Sequence, residues 1–283
     1  MEQKRLKTAI IGVGRWGMNV ARELDASSEL VYFASKQSNP SLPHARRATV
    51  EEICADSSIE AVAIATPVPT HADIIRAALE AGKHVLCEKP LTATSAEAHA
   101  LAQLASEKGR VLMTGYTLLY SPAYQEFKRL LQEKRSVRIE CIRKKYGTFT
   151  DTIENALLTH YLSIAYDLLG TPTTAAVKNR EAVETACDRI EISLAYPECE
   201  FTAYIDRASK EEAHTVTATF EDGTSLVWSD TKLYKDGEVV FESPDTPLAE
   251  EIRVFLEAAA GGAAPQTAGD FGARVLEIHE LLT

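Results

Sequence analysis

The sequence predicts an α/β domain built on a doubly wound parallel sheet, followed by an α+β domain with a mainly antiparallel open sheet. Three observations carry this. Over the first 115 residues, short apolar runs alternate with helical segments, the order expected of parallel strands joined by crossover helices. Beyond residue 137 the apolar period falls to two, and Asp-Gly pairs separate the runs, which marks hairpins. The pattern changes near residue 118, which sets the domains at 1–118 and 119–283.

In chain order, the first strand-like runs are Thr8–Ile11, Leu30–Ala34, Ala61–Thr66, His84–Glu88 and Val111–Gly115. They are rich in Val, Ile and Ala and barely alternate, as strands buried on both faces do. Thr49-x-x-Glu52 and Thr94-x-x-Glu97 read as capping boxes. Gly82 and Gly109 close helices at 70–81 and 95–108. A helix near Tyr124–Lys134 then leads into a strand-like stretch at Val137–Thr150 and a helix at about 155–169, ended by Gly170. Ile190, Ile192, Leu194 and Tyr196 alternate, as do Val216, Ala218 and Phe220, and hairpin turns fall at Asp222-Gly223 and Asp236-Gly237. Residues 137–241 therefore read as an antiparallel sheet with helices before and after it. A loop over Ala258–Gly269 precedes a final helix at 270–282. Once helices cover one face of such a sheet, an apolar face is left over, so a homodimer or homotetramer is expected.

Composition narrows the function. The 283 residues are 45% apolar and 25% charged, ordinary for a folded globular chain and unlike a disordered one. Lys plus Arg number 30 against 41 Asp plus Glu, a formal charge of -11. Such a surface repels a phosphate backbone, so nucleic acid is not an expected partner. The longest stretch without a charged residue, Val111 to Gln125, contains Gly115, Ser121 and Pro122 and falls short of the roughly 20 apolar residues of a membrane span. The apolar run after Lys4, Arg5 and Lys7 stops at Gly12, too early for a signal peptide. The five cysteines form no CxxC pair, and the seven histidines show no ligand spacing. Reduced thiols, a cytoplasmic location and no metal are expected.

Gly12-Val13-Gly14-Arg15-Trp16-Gly17 matches GxGxxG between the first strand and the first helix. Gly12 permits the tight turn, Gly14 lets a pyrophosphate approach the backbone, and Gly17 lets helix and strand pack closely. The helix N-terminus offers free N–H groups and a positive dipole end to the anion. An NAD site places an acid at the end of the second strand to bond the ribose 2′-OH. Here that strand runs into Ser35-Lys36-Gln37-Ser38, with no acid between Glu29 and Glu51. The Ser35 hydroxyl and Lys36 ammonium suit a 2′-phosphate, favouring NADP(H) over NAD(H).

Ala63-Ile64-Ala65-Thr66-Pro67, His71, and the run Ala81-Gly82-Lys83-His84-Val85-Leu86-Cys87-Glu88-Lys89-Pro90 are more specific than the glycines. With the turn, they resemble the Gfo/Idh/MocA oxidoreductases, the glucose–fructose oxidoreductase and inositol dehydrogenase family. The resemblance is dense from residue 8 to about 125 and weaker to Gly170. It implies a Rossmann domain, an α+β domain whose sheet often forms the subunit interface, and nicotinamide-dependent chemistry on sugars, polyols or nucleotide-linked sugars. It implies that Thr66, Pro67, His71, Glu88 and Lys89 line the cofactor, that Lys89 of the Glu-Lys-Pro motif also reaches the active site, and that Tyr116 and His160 contact substrate. A lysine there can exchange the hydroxyl proton that accompanies hydride transfer.

His160 stands ten residues before Gly170, as the family's active-site histidine does, where it could shuttle a proton. Relatives often carry Asp where this chain has Ala156 and Ser163, and Arg where it has Leu119. Glu154 or Asn155 can replace the missing acid only if the helix begins differently. The expectation is a less polar substrate pocket or a less anionic substrate, with Lys89 central and His160 assisting. A non-catalytic dinucleotide-binding sensor is the alternative.

Overall fold

The computed structural model describes residues 5–36, 41–147, 151–243 and 246–283. Gln37 and Ser38, and the end of the stretch expected to run to Thr150, lie outside the described residues. The chain divides into two units: Met1–Thr117 with Leu248–Ala273, and Leu118–Pro247 with Arg274–Thr283.

The first unit holds strands β1 (Lys7–Ile11), β2 (Glu29–Ala34), β3 (Arg46–Arg47), β4 (Ala61–Ile64), β5 (His84–Glu88) and β6 (Leu112–Gly115). All pair in parallel, in the order β3-β2-β1-β4-β5-β6. The order reverses between β1 and β4, the switch point at which open α/β sheets bind ligands. Helices α1 (Arg15–Ser27), α2 (Val50–Ala55), α3 (His71–Glu80) and α4 (Ser95–Glu107) connect the strands. Ala9 and Ile10 of β1 and all four residues of β4 are buried, as the unbroken apolar runs require. Thr49 and Glu52 close a full capping box on α2, and Thr94 caps α4 through the Glu97 N–H.

The second unit contains α5 (Pro122–Leu131), β7 (Ser136–Lys144), α6 (Thr159–Leu169), β8 (Thr174–Glu181), β9 (Arg189–Ala195), β10 (Glu200–Asp206), β11 (Ala213–Phe220), β12 (Ser225–Ser229), β13 (Lys232–Lys235) and β14 (Glu238–Glu242). The strand order is β14-β13-β12-β11-β7-β10-β9-β8. Neighbours are antiparallel except β7 and β10, which run parallel. A long connection carrying α6 separates those two in sequence, as a parallel pairing needs. Asp236 and Gly237 both have positive φ, the conformation that selects Asp-Gly in a two-residue hairpin.

Ile190, Ile192, Leu194, Val216 and Ala218 are buried on one face of this sheet, while Tyr196 lies beyond the end of β9. The opposite positions of β11 are the half-buried Thr215, Thr217 and Thr219. The leftover face expected to be apolar therefore carries hydroxyls along this strand: threonine combines a β-branched stem with a polar group.

The C-terminal part also differs from the expected division at 118. Helix α7 (Pro247–Ala259) precedes α8 (Phe271–Glu280), and Leu248–Ala273 belongs to the first unit. Ile252 and Phe255 are fully buried. Ala268 bridges Met113 of β6, and the Thr267 hydroxyl donates to the Thr114 carbonyl at 2.8 Å. The returning segment thus covers the edge of the parallel sheet beyond β6. No helix among the described residues is long and apolar enough to cross a membrane.

Candidate active site

The glycine turn is pressed between the ends of two strands. Gly12 donates its N–H to the Ala34 carbonyl at 2.8 Å and has φ +95°. A Cβ on Gly12 would fall 2.5 Å from the Ala65 carbonyl oxygen, and one on Gly17 would fall 2.0 Å from the Gly12 oxygen. Around Gly14 a Cβ would meet nothing within 4 Å. Two glycines close the turn and the third leaves a face open. No side chain caps α1, and its first turn carries no acid, so its N-terminal dipole is left for an anion. These residues fit the pyrophosphate of a dinucleotide.

At the end of β2, Ser35 is half-buried and Lys36 exposed. Sequence reasoning missed the short strand β3 beside them. Arg47 donates to the Ser35 carbonyl at 2.6 Å, and Arg46 lies 5.2 Å over the Tyr32 ring. This edge of the parallel sheet therefore carries three cations and no nearby acid in sequence. The signal was the Arg46-Arg47 pair, hidden because a two-residue strand has no periodicity.

Strands β4 and β5 end in the other two predicted segments. Thr66 is half-exposed, Pro67 exposed, and the Thr66 hydroxyl accepts from Thr70 at 2.8 Å. His71 corrects the expectation that it lines the cofactor. It is only 1% exposed, with Nε2 2.8 Å from the Thr66 carbonyl and Nδ1 3.0 Å from that of Pro90. Burial pushes its ring below the ordinary histidine pKa, against the pull of those carbonyls. His71 therefore sits between the turn after β4 and the turn that carries Lys89, its single N–H in the neutral ring donating to one of the two carbonyls while the other nitrogen packs against the second. A second clamp lies in the same run: buried Lys83 donates to the carbonyls of Asp56 at 2.6 Å and Ile59 at 2.9 Å.

Trp16, exposed on α1, donates from Nε1 to the Glu88 carboxylate at 2.5 Å. The glycine turn and the Glu-Lys-Pro turn are thus brought together directly. Burial pushes the Glu88 carboxyl above the usual glutamate range, while Trp16 and Lys89 pull it back. Lys89 and Arg15 keep accessible surface.

Tyr116 is a correction. It has no exposed surface and its ring packs 5.7 Å from that of Phe271, so it belongs to the core of the first unit rather than to a substrate surface. Leu119 is also fully buried and lends no apolar character to a pocket. An aromatic or leucine after a strand reads alike whether it turns inward or outward.

In the second unit, a π-helical turn at Glu154–Leu158 precedes α6. His160, in the first turn of α6, is half-buried. The helix does begin differently, yet Glu154 turns to Arg180 at 3.7 Å and Asn155 donates its side-chain amide to Asp151. Ser163 is buried, and its hydroxyl donates to the His160 carbonyl at 2.7 Å, a bond to the backbone rather than the ring. A separate cavity of about 200 Å³ lies among Leu118, Ser121, Trp228 and His214. None of the residues predicted for the site lines it.

A model described as an oxidoreductase family with an NAD-binding Rossmann fold matches residues 6–116. The scyllo-inositol 2-dehydrogenase (NAD(+)) of Bacillus subtilis (strain 168) is 32% identical over 137 residues, 45% of this chain and 40% of its own. The scyllo-inositol 2-dehydrogenase (NADP(+)) IolW of the same organism is 31% identical over 173 residues, 55% and 48%. The chain spans less than half the length of these curated relatives. The solved UDP-N-acetylglucosamine 3-dehydrogenase GnnA of Acidithiobacillus ferrooxidans shares the fold, with a TM-score of 0.86 at 24% identity over 99% of this chain and 97% of that one. The nucleotide-binding domain, with the glycine turn and the Glu-Lys-Pro turn joined by Trp16 and Glu88, thus matches that of the Gfo/Idh/MocA oxidoreductases.

Proposed function

We propose that the protein is an NADP(H)-dependent oxidoreductase acting on a carbonyl or carbinol of a small sugar- or polyol-like molecule. The observation that carries this reading is Lys89, set on a turn that His71 and Trp16–Glu88 tie to the cofactor strands. Nicotinamide, when bound, donates or accepts the hydride. Lys89 moves the proton on the substrate oxygen, and the open backbone at Gly14 and the α1 N-terminus receive the pyrophosphate. Ser35, Lys36 and Arg47 support NADP(H), because a 2′-phosphate needs cations where an NAD site has an acid. The relatives include inositol and nucleotide-sugar dehydrogenases by name, which supports a polyhydroxylated substrate. A cytoplasmic homodimer or homotetramer belongs to the same reading, and light scattering tests the assembly.

A second reading, a dinucleotide sensor without turnover, draws support from Ser163, whose hydroxyl bonds the backbone where an acid would orient His160. Single-turnover oxidation of NADPH with a panel of carbonyl compounds decides between them. Lys89→Met should lower the rate about 10²–10⁴-fold with little change in dinucleotide affinity, and His160→Asn should cost less. Turnover of Lys89→Met at the parent rate, or a larger loss in His160→Asn, overturns these roles. Binding without turnover on every compound favours the sensor.

A further inference from the structure

Glu251 is an acid that neither the glycine turn nor the Lys89 turn accounts for. It lies on α7 and is 1% exposed. Its Oε2 accepts the Thr117 hydroxyl at 2.8 Å, whereas Oε1 is buried with no hydrogen-bond partner. An ionised carboxylate in that position lacks what would offset its lost hydration, so the surroundings favour the neutral acid. Glu88 touches the same stretch of chain. A Cβ on Gly115 would come 3.2 Å from Glu88 Oε1, and Thr117 follows two residues later. The two acids differ in their partners. Glu88 accepts from Trp16 and faces the main-chain N–H and ammonium of Lys89, while Glu251 has one hydroxyl and feels the charge of Glu88.

We propose that the half-buried Glu88 and the buried Glu251 form a carboxyl pair holding one proton between them, with Glu251 the protonated member, and that this pair positions Lys89. The proposal rests on the reading of Lys89 as the proton-transfer group. With Glu251 neutral, Glu88 is the charged member of the pair facing the lysine, held by Trp16 against Gly115. With both ionised, like charges would drive the carboxylates apart and alter the field at Lys89. The nearby Cys87 thiol is kept protonated by burial, and on α7 itself Glu250 is engaged by Arg253. Burial and the Glu88 charge both push the Glu251 carboxyl well above the usual range.

Infrared spectroscopy of the full chain across pH, beside kinetics, tests the pair. The parent should show the C=O band of a protonated carboxyl at neutral pH, and Glu251→Gln should lack it. In Glu88→Gln, which removes the neighbouring charge, the band should vanish at lower pH than in the parent. In Glu251→Gln the pH midpoint of kcat should move by about tenfold in proton concentration with KM unchanged. The stability sign is fixed as well. A raised folded value gives stability present below the unfolded pKa and lost as pH rises toward the folded one, so the parent should lose melting temperature relative to Glu251→Gln as pH rises. A parent without the neutral-pH band, a band whose titration ignores Glu88→Gln, or an unmoved kcat profile overturns the proposal. Should Glu251→Gln not fold, the titration of the band in Glu88→Gln alone decides. If Lys89→Met keeps full turnover while the band behaves as stated, the carboxyl pair stands and the role of Lys89 fails.

Discussion

The two units differ in how they hold their buried cations. In the parallel-sheet unit, side chains clamp main-chain carbonyls: Lys83 on Asp56 and Ile59, His71 on Thr66 and Pro90. In the antiparallel unit, buried charges also pair with one another, as Asp188 with Arg207 at 3.0 Å and Lys128 with Asp167 at 2.7 Å. Asp188 also gathers the N–H groups of Val183, Glu184 and Thr185, which with the Thr185 hydroxyl hold its carboxyl far below the usual range. The difference follows from topology. Hairpins satisfy their own backbone, so ion pairs are left to fasten loops and helices. Parallel strands end in turns whose carbonyls have no neighbouring strand, so side chains must fasten them. The glycine turn and Lys89 leave from turns of that second kind.

The sharpest way to break this contrast is to disturb the turns while leaving the ion pairs alone. Gly17→Ala places a methyl 2.0 Å from a backbone oxygen. Such overpacking costs about 1–3 kcal/mol, and titration should find dinucleotide binding abolished. Lys83→Met should follow. The buried Ile59 carbonyl loses its lysine donor, at a cost of about 1–3 kcal/mol, while the Asp56 carbonyl keeps the Ile59 N–H, and hydrogen exchange should rise around Asp56–Ile59 before it rises in β9 or β10. The smallest effect tests the outer edge of the same unit. Lys36→Asp should reverse the preference for NADP(H) over NAD(H), and Arg47→Ala should reduce it by about tenfold or less, since exposed ion pairs contribute about 0–1 kcal/mol. Equal titration affinities for both cofactors in the parent would remove the basis of that preference.

Legibility tracks how local the determining physics is. Gly82 and the Thr49 cap answer to a backbone requirement within a few residues, and the glycines of the turn to a spacing that a strand–helix junction fixes, so the sequence displays them. The five longer parallel strands follow from unbroken apolar runs. Arg47 and β3 escape because pairing with β2 is a tertiary event with no periodic trace. Tyr116 and Leu119 turn inward against expectation because residue type after a strand carries no sign of direction. Spacing locates the His71 ring at the right turn and says nothing of which carbonyls surround it, so its part as a clamp is invisible before folding. Glu251 reads as one more acid on an amphipathic helix, since only burial distinguishes it from Glu250.

The return of Leu248–Ala273 to the first unit has a consequence for how the chain is made. Synthesis delivers β1 to β6 first, and domains commonly fold as they emerge. Here the nascent nucleotide-binding unit lacks α7 and the strip around Ala268 that bonds Met113 and Thr114. It must wait, with the far edge of β6 uncovered, while the whole eight-stranded sheet is translated. Completion of the first unit is therefore coupled to a segment made only after the eight-stranded sheet, and a nascent chain stopped before α7 should expose that edge to other strands or to chaperones.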